Sequence, residues 1–384
     1  MSRMKDNKGL MTEGVIWKQL LLFALPLLLG NLFQQFYNTV DSIVVGNYIG
    51  PNALAAVGAS TPIVNLMVGL FTGLGTGAGV VIAQFYGAKD EQGVHDGVHT
   101  TIALCLAAGI VMGIVGVQFS PWILSALDTP PEVMEGSVIY LQIYFLGVMA
   151  LMIYNMGSGI LRAIGDSRTP LYFLIVSSVV NIVLDLVFVI NLQMGVAGVA
   201  WATLVAQVIS AGLVLIRLMT TKECYKLILR DIRFHKEVLF ETIRIGLPGG
   251  IQNAVVSFSN LIVQYNINSF GAAAVAGCSA YNKIDGFAVL PVMSFSMAVT
   301  TFTGQNIGAR NFERVKRGAS TCLKLSMGIT ITLSVLLYIF GGNLLRVFSS
   351  DPQVLSYAVN MMHSLAPAYV CLLYTSPSPR DLST

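Results

Sequence analysis

AQFYGAKD at residues 83–90 returns as GQNIGARN at residues 304–311, so that Gln84, Gly87, Ala88 and Lys89 face Gln305, Gly308, Ala309 and Arg310 at an offset of 221. Upstream, ALPLLLGN (24–31) pairs with GLPGGIQN (246–253) at an offset of 222; downstream, Val94 and Gly97 pair with Val315 and Gly318. One such match could arise by chance. Several in order, at an almost constant spacing, mark an internal duplication, and a duplication fixes architecture before any single residue does.

What is duplicated is apolar. Asp, Glu, Lys and Arg make 11% of the 384 residues and hydrophobic residues 55%, where a soluble domain carries about 25% charged residues. The excess falls into runs long enough to cross a hydrocarbon layer of about 30 Å as helices. In lipid every backbone N–H and C=O must be satisfied internally, which selects helices over anything but a closed barrel. The alternating segments of about ten residues that a membrane barrel needs are not present. Ten spans are expected: 18–44, 55–84, 99–120, 136–161, 169–190, 194–217, 239–268, 279–305, 318–342 and 355–374.

Six spans precede the repeat, an even number, so both halves enter the membrane from the same side. The expected fold is an all-α polytopic membrane protein of two parallel pseudo-symmetric six-helix bundles. Such repeats, related by an axis along the membrane normal, belong to transporters that rock two bundles around a central site. The chain divides into an N-terminal segment (1–17), an N-lobe (18–217), a basic linker (218–238), an incomplete C-lobe (239–374) and a tail (375–384). The repeat of the sixth span should end at roughly residue 438, by the offset that repeats define, so the sequence reads as a truncated twelve-helix protein. Its Pro/Ser-rich tail, TSPSPRDLST, reads as foreign sequence resembling a translated sequencing adapter.

Charge sets orientation. Of the 22 Lys and Arg, 19 lie at the N-terminus (Arg3, Lys5, Lys8, Lys18) or in and beside the even connectors, from Lys89 through the run Arg217–Arg244 to Lys324. The odd connectors hold Asp128, Glu132 and Glu135, with Arg346 the exception. By the positive-inside rule the N-terminus is cytoplasmic. The net charge of +3 therefore reflects topology and not nucleic-acid binding. No removable signal peptide is read at the N-terminus.

Two carboxylates stand inside spans, where one costs about 2.5–3.5 kcal/mol or more and marks function by default. Asp41 lies in NLFQQFYNTVDSIVVG, with Asn31, Gln34 and Asn38 spaced to share its helix face. Asp185 lies in VVNIVLDLVFV, four residues after Asn181; Thr203 in the sixth span can add a hydroxyl. Asp41, Asn181, Asp185 and Thr203 form a hard-oxygen set that would hold Na⁺ or share a proton. Simple helix-to-helix bonding is the competing structural role. The seventh span carries Asn253, Ser257, Asn260, Gln264 and Asn268 but no acid, and Val263 stands where the first lobe has Asp41. Lys283 and Asp285 in AYNKIDGF line the cavity or join helices.

Other motifs carry less. GLGTGAG (73–79) lacks the GK[ST] of a phosphate loop and reads as two small-residue packing pairs, Gly73/Gly77 and Gly75/Gly79. Without that motif ATP is not the expected energy source. His95 and His99 in HDGVH have metal-pair spacing but neither the Glu of HExxH nor an evident third ligand. The five cysteines show no CxxC spacing, and no catalytic constellation is present, so an enzyme is not expected.

These residues resemble the multidrug and toxic compound extrusion family, in its bacterial and archaeal DNA-damage-inducible branch. The resemblance rests on ALP…GNLFQQFYNTVDSIVVG, AQFYGAKD, GILRAIGDSRTPLY (159–172) and VVNIVLDLVFV, and runs to about residue 374. It implies a two-lobed exporter that exchanges cationic or amphipathic organic compounds for H⁺ or Na⁺, needs no cofactor and works as a monomer in a prokaryotic inner membrane. It also implies coupling roles for Asp41, Asn181, Asp185 and Thr203, and places Tyr37 and Asn155 in the same lobe. With Gln34, Asn38, Asn260, Gln264, Lys283 and Asp285 these are the substrate-cavity candidates. The alternative is a lipid-linked oligosaccharide flippase of the same superfamily, favoured by a cationic cavity that Lys283 alone does not supply. An ion channel would need neither the duplication nor acids confined to one half.

Overall fold

A computed structural model describes residues 9–127, 129–346, 351–366 and 369. The tail 375–384, Cys371, Asp128, the first eight residues and most of the tenth span beyond Leu365 lie outside the described residues. Within them the chain is helical: α1 (Ile16–Val44), α2 (Pro51–Gly87), α3 (Glu91–Ala126), α4 (Pro131–Leu146), α5 (Val148–Ala163), α6 (Arg168–Leu186), α7 (Gly195–Thr220), α8 (Lys236–Asn268), α9 (Ala272–Gly308), α10 (Phe312–Leu345) and α11 (Pro352–Leu365). Among the described residues seven helices are long and apolar enough to cross a membrane, or eight if the bent pair α4–α5 counts as one span.

That pair corrects the expected span 136–161. It is two helices bent by 49° at Gly147, whose N–H still bonds the Ile143 and Tyr144 carbonyls. Apolar content does not reveal the break, because both pieces are apolar. Of the other spans, those before the tenth coincide with helices, α8 being long but threaded with amides, and the tenth is met by α11 as far as Leu365. Large side chains on the outer surface are apolar, as lipid demands: Ile110, Ile114 and Trp122 of α3 and Phe258 and Tyr265 of α8 are all more than half exposed.

The duplication reappears as identical joints. α2 ends with Lys89 in the left-handed region (φ 58°), with Asp90 N–H donating to Phe85 O and Lys89 N–H to Tyr86 O. α9 ends the same way: Arg310 at φ 57°, Asn311 N–H to Asn306 O and Arg310 N–H to Ile307 O. Both are Schellman caps. In each, the next side chain caps the following helix, Asp90 accepting from Gly93 N–H and Asn311 from Arg314 N–H.

α2 is the central helix, and its glycines decide why. Gly75 and Gly79 face α5 within the lobe, where a Cβ on Gly159 would stand 2.9 Å from Gly75 O. Gly73 and Gly77 face α8 of the other half: their Cβ atoms would stand 2.2 Å from Gly250 N and 2.5 Å from Thr242 O. The run 73–79 is thus two packing faces, as its spacing predicts. The first helix of each half packs across the molecule, α8 on α2 and α1 on α9. The linker is also no free tether. Tyr225 and Leu227 are buried in the N-lobe core, and Ile228 and His235 bond to α3 through His99 and Thr100.

A Val at Gly159 meets backbone, which cannot yield as a side chain can, so Gly159→Val should cost about 1–3 kcal/mol and lower the melting temperature in detergent. Gly212→Ala on α7 meets nothing within 4 Å and should match or exceed the parent, Ala being the better helix former by about 1 kcal/mol. Equal melting temperatures for Gly159→Val and Gly212→Ala would contradict this packing.

Candidate functional site

α1 and α6 each carry one carboxylate toward the other just before their regular turns end. Beyond Asp41, residues Val45–Ile49 widen into a π turn; beyond Asp185, Val187–Asn191 do the same, and the two widened turns touch. Such turns are rare and concentrate at functional sites.

Asp185 is fully buried, Asn181 nearly so and Asp41 half-buried. The Asp41 and Asp185 carboxyl groups lie within hydrogen-bonding reach of one another, yet two carboxylates hold no donor between them. Among the described residues, Asp41 Oδ1, both Asp185 oxygens and Asn181 Oδ1 are buried without a hydrogen-bond partner. An orphaned buried acceptor costs about 1–3 kcal/mol, more when charged. An oxygen-only set of this kind suits a proton or a small hard cation.

A belt of phenols surrounds the pair. Tyr37 on α1 lies within electrostatic reach of both aspartates and of Tyr154 on α5, with Gln34 near it. Tyr140 of α4 also reaches both aspartates; its ring stacks on Tyr144 at 6.4 Å, and Tyr144 adjoins Tyr37 and Gln207 of α7. Sequence reading found Tyr37 but missed Tyr140, Tyr144, Tyr154 and Gln207. The i, i+4 pair Tyr140/Tyr144 in the apolar run YLQIYFL was the available signal.

The remaining candidates divide. Thr203 is half-buried on α7 and, among the described residues, makes no hydrogen bond to either carboxylate. Asn155 gives its amide to its own helix, at Leu151 O. The stripe on α1 splits, because Asn31 turns to Ser294 of α9 (3.3 Å) while Asp41 turns to α6; ten residues of helix rotate one position well away from the other. Gln34, Asn38 and Asn260 are exposed and Gln264 is half-buried. Asp285 serves as an inter-helix partner, accepting from Tyr281 (3.1 Å) and from Tyr369, while Lys283 is exposed and makes no bond to it. The side chain of Asn268 lies outside the described residues.

At HDGVH the structure brings up Asp231, with His95 Nε2 and Asp231 Oδ2 3.4 Å apart. His99, however, spends both nitrogens. Its Nε2 accepts Ile228 N–H (3.0 Å), which leaves Nδ1 to donate to His95 O. This is a clasp that holds the linker on α3.

Known proteins agree with this architecture. The MatE family profile matches residues 26–187 and 248–379, two blocks whose starts stand 222 positions apart. A probable multidrug resistance protein of Bacillus subtilis (strain 168), YoeA, is 31% identical over 90% of this chain and 76% of its own. A solved structure of the outward-facing conformation of a multidrug resistance MATE family transporter of the MOP superfamily superposes with a TM-score of 0.90 at 26% identity, over 96% of this chain and 83% of that one. A Pyrococcus furiosus transporter of the same superfamily, described as having a binding pocket of reverse polarity that suggests a different function, also scores 0.90, at 25% identity over 98% and 84%.

The orphaned oxygens generate a test that needs no transport. An amide at position 185 supplies the missing donor to Asp41, so Asp185→Asn should raise the melting temperature by about 2–4 °C in sodium-free buffer at pH 8, read by scanning fluorimetry. A lower melting temperature would mean that the protein already compensates the pair.

Proposed function

The chain belongs to the MatE family of membrane transporters, and from that premise we propose that it exports cationic or amphipathic organic compounds by exchange for H⁺ or Na⁺. The observation that carries the reading is the set of four buried, unpartnered oxygens on Asp41, Asn181 and Asp185. Oxygen-only donors suit a proton or a hard cation equally, and a pair of acids that cannot both stay ionised without one is a natural coupling device. The multidrug resistance names of its relatives support the cargo class.

The N-terminus lies on the cytoplasmic side of a bacterial plasma membrane in this reading, as the basic connectors require. Transport follows alternating access. Cargo enters between the lobes from the cytoplasm and leaves outward, where apolar and aromatic surface such as the Phe36–Phe287 contact across the lobes (ring centroids 6.0 Å) tolerates varied shapes. Arrival of the coupling ion joins Asp41 to Asp185 and removes the repulsion between α1 and α6. Pro26 inside α1 removes one backbone hydrogen bond and provides a place for that helix to bend. Thr203 is the fourth ligand only if Na⁺ is the ion, reached by a rotamer change.

Proteoliposomes holding the chain and a fluorescent cationic dye test this under an imposed Na⁺ or pH gradient. Efflux should follow one gradient and fall at least about tenfold in Asp41→Asn and in Asp185→Asn, because each removes a charge that the ion must meet. Dye movement under neither gradient, by protein that still binds dye, would reject the exchange mechanism. Gradient-driven efflux that survives both substitutions would move coupling away from this site.

A further inference from the structure

The two copies of the repeat meet at the basic face, and they meet backbone to backbone. A Cβ on Gly87 would stand 1.9 Å from Gln305 O, one on Gly308 1.9 Å from Gln84 O, and one on Gly304 2.9 Å from Ala83 Cβ. The repeat offset relates the first two contacts, so the seam is symmetric about the axis of the duplication. Nothing larger than hydrogen fits at its centre while it is closed.

Gln305 breaks that symmetry. Its side chain is fully buried. Nε2 donates to Ala163 O at the end of α5 (2.8 Å) and reaches Gly9 O (3.4 Å), while Oε1 accepts Met11 N–H (2.7 Å). One amide on α9 therefore bonds the opposite lobe and the N-terminal segment together. Gln84, its counterpart in the repeat, is only half-buried and makes none of these bonds.

The N-terminal segment is a strap laid along the seam. Met11 O accepts from Asn306 Nδ2 (3.2 Å) and Arg314 Nε (3.1 Å), and Arg314 Nη2 also donates to Glu13 O (2.9 Å). The Met11 side chain is buried with Leu20 and Phe23 of α1 and Phe302 of α9. Against the N-lobe, Gly9 and Gly165 both have positive φ (104° and 88°), and a Cβ on either would strike backbone of the other segment at 2.2 Å or less. The strap is thus fastened to α9 and α10 by side chains and meets the N-lobe by close backbone contact and through Gln305. Parting α2 from α9 breaks the Gln305–Ala163 bond and strands a buried amide and a buried carbonyl until water reaches them.

We propose that Gln305 is a positioning residue of the transport cycle: it bolts the seam at the basic face and sets how much of the protein stands closed there. This rests on the two-lobed transport reading and adds to it the residue that holds one gate.

Nitroxides at Ala88→Cys and Ala309→Cys, both exposed on the seam, report its opening by pulsed dipolar spectroscopy on the full chain in nanodiscs with the native cysteines replaced. Gln305→Met keeps the volume and removes every bond, and should raise the open-to-closed ratio about tenfold, as the loss of two or three buried hydrogen bonds implies. Gln305→Asn, one methylene short of spanning its partners, should shift the ratio the same way and covers the case in which Met does not fold. Gln84→Met should change it by less than about twofold. Two distance populations whose ratio ignores both Gln305 variants, or responds equally to Gln84→Met, would overturn the bolt and leave the transport reading standing. A single distance in the parent and also in Gly308→Leu, whose side chain must wedge the seam, would overturn the rocking of the lobes and the bolt with it.

Discussion

The approach of α2 to the opposite half of the molecule, close enough for backbone to touch backbone, is the contact on which the other features depend. Within a membrane, apolar side chains gain little by leaving lipid for each other, so helices are held by close packing and small residues. α2 meets this demand on two sides, with Gly75 and Gly79 against α5 and Gly73 and Gly77 against α8. Because α8 begins the second half, the contact joins the first helix of the second half to the second helix of the first. α1 answers on the other side by packing on α9. Each half is therefore incomplete without the first helix of its neighbour, and relative motion of the halves must pass through these glycine contacts.

The paired carboxylates make sense only inside such a frame. Left in a mobile bundle, Asp41 and Asp185 would turn to water or to backbone and relieve each other. Here α1 is fixed by its contacts with α9 and α10, and α6 by α7, so the two acids are held together with their oxygens unfilled. In the exchange proposed above, relief of that arrangement is what the coupling ion would contribute, and only binding energy that differs between two states can shift their populations.

Much of this was legible in the sequence. The duplication, the helical spans and the two glycine faces of GLGTGAG follow from spacing alone, because helix periodicity and membrane thickness leave few other solutions. The break at Gly147 was not legible, since glycine is common in such helices and its flanks are equally apolar. Asp41 and Asp185 were legible because a buried acid is rare. The phenols Tyr140 and Tyr144 were not, because a tyrosine in an apolar run is ordinary, and only the fold shows which ones meet the acids. The stripe Asn31–Asp41 was read as one face and is two, since ten residues of helix carry its ends to different neighbours. His99 shows the limit of spacing as evidence: the pair HDGVH gained a nearby Asp231, yet both His99 nitrogens are already engaged, Nε2 by the linker at Ile228 and Nδ1 by His95 O of its own helix.

Duplication supplies the scaffold, and departures from it supply direction. The caps after α2 and α9 match bond for bond, so what distinguishes the halves must lie elsewhere. Among the described residues, acids face each other in the first half, where the second has Val263 in the place of Asp41. Only Gln305, and not Gln84, is tied across the seam. Both departures converge on α1. One end carries Asp41; the other continues from the strap that Gln305 and Arg314 hold. It also packs on both α6 and α9. The proposed ion site and the proposed bolt therefore stand at the two ends of one helix, so the coupling proposed above needs no chain of intermediaries beyond α1, with Pro26 between them as the point where that helix can bend.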